Sequence, residues 1–290
     1  MTKNKENKKV KQRRNNMKKV KTVETVKNEN NVINNEEHGS KKQVTYIAEL
    51  DADVDDVVAL EYLYQMGVLK NVVLDPYPKE KIGLERLHMI EKFTDVYKEI
   101  PENTKIVFIG GCLTKVAEYV NKGNQLDWLV MNGGFVGSNI PNHYKLPKFA
   151  GKNTVRTFNF NCDVKAADTV LKSKNIQNIM LVGKNICHNP KNTKLGIWKA
   201  GKDKEILHEI FEKYHVKDKK LQHDLLACRE GLIKLKLLNA PSMLVYQALK
   251  PYNTGLNGRM TQWGSINPKI KSRVKSPYST CYVAVDWKIR

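Results

Sequence analysis

Four aspartates, Asp51, Asp53, Asp55 and Asp56, fall within six positions inside the stretch Ile47 to Leu60, between one apolar run and the next. Carboxylates this close repel one another unless some are protonated or a cation sits among them, and a hard divalent ion with oxygen ligands is the simplest resolution. One or two acids at a helix start serve as caps and complement the helix dipole. Four of them, in a chain where Lys and Arg outnumber Asp and Glu by 50 to 30, exceed that need. A second pair with chemical potential is His223-Asp224, at the head of a long apolar-patterned run. An imidazole and an acid beside the interior are costly unless paired or bound to metal, although the start of a surface helix would account for them equally well.

Positioning these residues requires a scaffold, and the hydrophobic pattern supplies one from Gln43 onward. Strands are predicted at Val44 to Leu50, Val72 to Leu74, Lys105 to Ile109, Trp128 to Met131, Ile179 to Val182 and Thr280 to Asp286. Helices are predicted between them at Asp55 to Met66, Lys81 to Tyr97, Thr114 to Lys122, Val164 to Ser173, Lys204 to Tyr214 and Leu221 to Leu237. Strands separated by helices of this length form a mainly parallel α/β sheet flanked by helices on both faces. Ligands of such sheets bind beyond the carboxyl ends of the strands. That rule selects Asp51 after the first strand, Gly110-Gly111 after the third, and Asn132-Gly133-Gly134 after the fourth, where glycine lets backbone approach a ligand. The segment Thr157 to Asp163 precedes an Ala-containing helix, and Asp163 there reads first as a cap.

The totals bound the remainder. A chain of 290 residues buries a substantial core and suits one α/β domain, placed here at residues 43–290. Residues 1–42 hold 13 basic and 5 acidic side chains with few large apolar ones, so a disordered basic tail is expected. Its segment NKKVKQRRNNMKKVK reads as a solvated tail, with a nuclear address or weak nucleic-acid contact as the alternative. A net charge of +20 favours anionic partners or solubility and says nothing about fold. No apolar run approaches the roughly 18 residues of a membrane span. The N-terminus has no hydrophobic centre, so no membrane association and a cytoplasmic location are expected. Five scattered cysteines, Cys112, Cys162, Cys187, Cys228 and Cys281, form no CxxC pair and are expected as reduced thiols.

Six separated segments carry a resemblance. They are Glu49 to Leu60 (ELDADVDDVVAL), Ile109 to Lys115 (IGGCLTK), Val130 to Gly134 (VMNGG), the run from Phe158-Asn159 to Asp163, Ala166 and Ala167, Asn185 to His188 (NICH), and His223-Asp224. In this order they resemble the DxDPGxDDAxAL signature, the IGPLTN turn, the MGG loop, and the EFNxxxDPEAA, DVTH and HDP motifs of the inosine-uridine preferring nucleoside hydrolases. The later GRMTQW and YVAVDW are similar to that family's closing strands, so the likeness spans about residues 44–290.

The resemblance implies a nucleoside hydrolase-like fold and Ca²⁺-dependent hydrolysis of the N-glycosidic bond of ribonucleosides. It implies Ca²⁺ ligands at Asp51, Asp56, Asp224 and the backbone carbonyl of Met131. Asp51 would be the general base, Asp55 and Asn159 the ribose hydroxyl partners, Asn132 a further substrate contact, and His223 the candidate acid near the leaving base. Three departures stand out: Ala52-Asp53 replaces Pro-Gly, Glu49 replaces an Asp, and Thr157 replaces the Glu that contacts the ribose 5′-hydroxyl. Loss of that acid beside Arg156 raises the further hypothesis of a phosphate at the 5′ end, and so of 5′-phosphorylated substrates alongside free ribonucleosides. The expected partner is a small-molecule nucleoside or nucleotide, with homo-oligomer formation open. The alternative is a non-catalytic nucleotide- or nucleic-acid-binding protein on the same fold.

Overall fold

A computed structural model describes residues 42–51, 53–135, 146–149, 155, 157–194, 203–249 and 278–288. The basic stretch 1–41, Arg156 and the GRMTQW segment lie outside the described residues. Runs rich in β-branched residues form eight strands: β1 (Val44–Ala48), β2 (Leu69–Leu74), β3 (Val96–Tyr97), β4 (Ile106–Ile109), β5 (Leu126–Asn132), β6 (Ile176–Val182), β7 (Leu244–Leu249) and β8 (Cys281–Trp287). They make one sheet in the order β3-β2-β1-β4-β5-β6-β8-β7, parallel throughout except where β7 pairs antiparallel with β8. Eight helices accompany it among the described residues: α1 (Asp55–Gln65), α2 (Lys81–Ile90), α3 (Thr114–Asn121), α4 (Phe158–Cys162), α5 (Val164–Lys172), α6 (Lys184–Cys187), α7 (Lys204–Lys213) and α8 (His223–Lys234).

The strands' period of two divides the core between two faces. Tyr46, Phe108, Val130, Met180 and Ala284 pack with α1, α2, α7 and α8. Their neighbours Ile47, Val107, Leu129, Ile179 and Val283 pack with α3 and α5 on the other face. Both faces are covered, which is why the central strands read as continuous apolar runs rather than as alternating ones. The chain runs outward from β1 to β2 and β3, then returns to place β4 on the other side of β1. The strand order therefore reverses between β1 and β4, and a crevice for ligand opens at the carboxyl ends of those strands.

Local sequence fixes how the helices meet this crevice. Gly231 in α8 abuts the sheet so closely that a Cβ would lie 2.8 Å from the Phe108 ring and 2.9 Å from Val130. Its bare backbone lets α8 sit down on the strands, with Asp224 in its first turn. Asp163 caps α5, its Oδ1 accepting from Ala166 N at 2.9 Å, as its sequence position suggests. Asp75 Oδ2 accepts from Lys115 N at 3.0 Å and so satisfies a free donor at the start of α3.

Two expectations need correction. The helix expected to run to Tyr97 ends at Ile90, because Phe93 N and Thr94 N both bond to the Ile90 carbonyl and the chain then pairs with the sheet edge at Val72↔Val96. β7 was not anticipated, since only Leu244 of its six residues is buried and its pattern lacks a core face. No helix among the described residues is long and apolar enough to cross a membrane.

Candidate metal centre and surrounding cleft

Beyond the carboxyl ends of β1, β4 and β5 lies an open cleft of about 200 Å³. Elements from along the chain converge on it, among them α6 with Lys184 and Cys187. The chain after β1 contributes Glu49, Asp51 and Asp53, and the first turn of α1 adds Asp55 and Asp56. Gly110 follows β4, Asn132 ends β5, Asn159 comes from α4, and His223 and Asp224 open α8.

Carboxylate oxygens of Asp55, Asp56 and Asp224 all lie within 4.8 Å of one another. Burial, reinforced by mutual repulsion, raises all three: Asp55 to about 6, and Asp56 and Asp224 well above the usual carboxylate range. Tyr46 donates its hydroxyl to Asp56 Oδ1 at 2.8 Å, and Asn132 Nδ2 donates to Asp224 Oδ1 at 2.9 Å. A proton shared between Asp55 and Asp224 would relieve part of that repulsion. A cation in the proton's place relieves the same repulsion. The group thus fits a hard cation, with three oxygen-bearing side chains and no thiol or imidazole among them.

Asp51 lines the same cleft but stands outside that tight group. It is exposed, and its Oδ1 accepts from Asp53 N at 2.6 Å. Met131 has its side chain wholly in the core, so any part it takes in ligation is through its backbone. Asp53 holds an ion pair with Lys220 and accepts from Val54 N at 2.8 Å, which accounts for an extra acid at this position. Asn159 Nδ2 spends both hydrogens on backbone, donating to Gly110 O and Asn132 O, each at 2.8 Å. Its Oδ1 is the polar atom left to meet a ligand. Asn132 is engaged by Asp224, so it orients that acid.

His223 is pushed down to about 4, by burial first and then by the charges of Lys220 and Lys184. Its ring is neutral at pH 7, which gives the expected acid role no support from an imidazolium. The His188 ring stands 5.0 Å away and is pushed down to about 3, again chiefly by burial. Thr157 is 2% exposed and lines the cleft, and its Oγ1 has no hydrogen-bond partner among the described residues. Glu49 is raised to about 7 by burial and by Asp51, Asp75 and Asp55.

The cysteine expectation is also corrected. Cys112, just after β4, and Cys162, the last residue of α4, form a disulfide across a Cα separation of 5.7 Å, which suits the bond. Fifty residues separate them in sequence, so spacing gave no hint. Cys187, Cys228 and Cys281 are free and buried. Glu49 lies beside the disulfide, but sulfurs bonded to each other do not make a thiolate site. Sequence reasoning also missed Tyr46, which reads as core on an apolar strand, and Lys220, whose partner lies far off along the chain.

Comparison with known proteins finds no family model that matches this chain and no curated protein that does, so the likeness to nucleoside hydrolases rests on the six segments themselves.

Proposed function

We propose that the protein hydrolyses the N-glycosidic bond of ribonucleosides, releasing base and ribose, with Ca²⁺ as its cation. The observation that carries this reading is convergence: residues from all six resembling segments line one cleft. Three of those residues, Asp55, Asp56 and Asp224, are close enough to hold one ion. A divalent cation held there would lower the pKa of a bound water and grip a vicinal diol.

The protein's own groups take the remaining roles. Asp51, exposed on the cleft, accepts the proton of the attacking water. Asp55 and the Asn159 Oδ1 accept from ribose hydroxyls. The negative lining stabilises the oxocarbenium-like sugar as the bond to the base lengthens. Tyr46 and Asn132 hold Asp56 and Asp224 in position. Phe158, 54% exposed on the cleft lining, offers an aromatic face to the base.

The test is base release from a panel of ribonucleosides by the wild type, with and without EDTA, and by Asp224→Asn. Release is expected, abolished by the chelator and restored by Ca²⁺. In the variant it should fall by more than about 100-fold, since disturbing a residue that only orients a ligand already costs up to that much. No release from any member of the panel overturns the reading, and nucleotide binding without turnover would then favour a non-catalytic binding role.

A further inference from the structure

The five cysteines differ in what can reach them. Cys187, Cys228 and Cys281 are buried free thiols, and burial raises each above the usual thiol range, so they stay protonated and unreactive. The Cys112–Cys162 disulfide presents two unequal ends, for Cys112 is wholly buried whereas Cys162 is exposed. A thiolate attacks a disulfide at the sulfur it can reach, and exposed disulfides are the labile and regulatory ones. Chemistry from solution therefore enters this bond at Cys162, with Cys112 as the leaving group.

The bond also stands where a break is felt in the cleft. Cys112 follows Gly110 and Gly111, whose amides both donate to the Ile47 carbonyl of β1, and its own amide donates to the Asp75 carbonyl. That end is fixed to the sheet. The other end is the last residue of α4, a single turn that carries Asn159 to the cleft and is too short to hold itself. Without the disulfide, α4 keeps the two Asn159 bonds to Gly110 O and Asn132 O and the packing of Phe160. Just beyond it, Thr114 Oγ1 donates to Asp163 Oδ2 at 3.2 Å. These ties keep α4 against the sheet, but its end loses its covalent anchor three residues from Asn159.

We propose that Cys162 is a thiol-exchange site through which the redox state of the surroundings sets the activity of the cleft. Oxidised, α4 is stapled and Asn159 is held for the substrate; reduced, that wall is loose and turnover falls. The inference rests on the proposed N-glycosidic reaction for its activity readout alone. The co-reactant is a low-molecular-weight thiol. Its thiolate forms a bond to Cys162 Sγ, the bond between Cys112 and Cys162 breaks, and the electron pair leaves on Cys112 Sγ, which takes up the proton that the thiol released. A second thiol attacks the sulfur of the first, so that Cys162 departs as a thiol. The protein disulfide is reduced by two electrons, and the two small thiols leave oxidised to one disulfide.

The test uses the folded protein with Ca²⁺ and dithiothreitol, which supplies both thiols in one molecule. Alkylation without denaturant, located by mass, should label Cys162 after this treatment and leave Cys187, Cys228 and Cys281 unlabelled. Hydrogen exchange at the amides of α4 should quicken by about 10-fold or more. Base release should lose roughly 10- to 100-fold in kcat/KM, the scale of a small misplacement at a reacting centre, and recover when oxidised glutathione re-forms the bond. Cys162→Ser, made at the exposed position, should show the reduced protein's rate throughout and no response to dithiothreitol. Labelling of Cys162 only after unfolding overturns the proposal. So does reduction that leaves α4 exchange and base release unchanged, or a Cys162→Ser variant as active as the oxidised wild type. Base release from neither redox form counts against the proposed reaction alone, and the labelling and exchange measurements then decide the switch.

Discussion

Gly110 shapes the acidic site by lacking a side chain. A Cβ at that position would overlap both the Asp56 carboxylate and the Tyr46 hydroxyl, which are hydrogen-bonded to each other at 2.8 Å. Gly110→Ala must therefore displace the hydrogen-bonded Asp56–Tyr46 pair. Overpacking of this kind costs about 1–3 kcal/mol of stability, and a displacement of about an ångström at a reacting centre can cost on the order of 100-fold in rate. The variant is expected to fold with a lowered Tm and to lose most of its base release and its stabilisation by Ca²⁺. Unchanged activity and an unchanged Ca²⁺ response would refute this role for Gly110. Among single residues, the acids were legible because crowded like charges demand an explanation wherever they occur. Which of them form the tightest group was not: sequence favoured Asp51 with Asp56, whereas Asp55 joins Asp56 and Asp224 because both residues sit in the first turn of α1. Asp53 was opaque for another reason, since its partner Lys220 lies 167 positions away.

Among the elements, α4 depends most on its neighbours. Five residues are too few for a helix to stand alone, so its position comes from tertiary contacts. Asn159 ties it to the ends of β4 and β5, Phe160 is wholly buried, and the Cys112–Cys162 disulfide links it to the turn after β4. One wall of the cleft is thereby stapled to another. With five cysteines and two of them paired, protein unfolded without reductant should titrate three thiols, and five after reduction. Five thiols before reduction would exclude the bond. Elements were legible in proportion to their burial. The central strands could be read because both their faces are covered and helices flank them, whereas β3, with two residues, and β7, mostly exposed, are edge strands whose pairing outweighs any local signal. The short helices α4 and α6 have too few residues to display a period.

For the whole molecule, the buried titratable groups make stability depend on pH and on cation together. Asp55, Asp56 and Asp224 are raised above their ordinary 3.8, so the folded protein holds protons that the unfolded chain has released. Their contribution is fully present below about pH 4; that of Asp55 is lost as pH rises through about 6, and that of Asp56 and Asp224 as pH rises through their own raised values. His188 and His223 act in the opposite sense. Lowered from 6.5 to about 3 and 4, they contribute above pH 6.5 and lose that contribution as pH falls. Between about pH 4 and 6.5 the two sets oppose each other, so the Tm of cation-free protein alone would discriminate poorly. The difference in Tm between excess Ca²⁺ and EGTA isolates the acids, because the ion competes with protons for the same oxygens. That difference should be small at pH 5 and grow as pH rises through about 6, where Asp55 gives up its proton. At 100 times its Kd a ligand adds about 2.7 kcal/mol, which in a domain of this size amounts to roughly 5–10 °C. Asp224→Asn should abolish that growth. A Ca²⁺ effect that is equal at pH 5 and pH 8, or that survives in Asp224→Asn, would mean that the ion binds elsewhere and that the three buried carboxylates hold only protons.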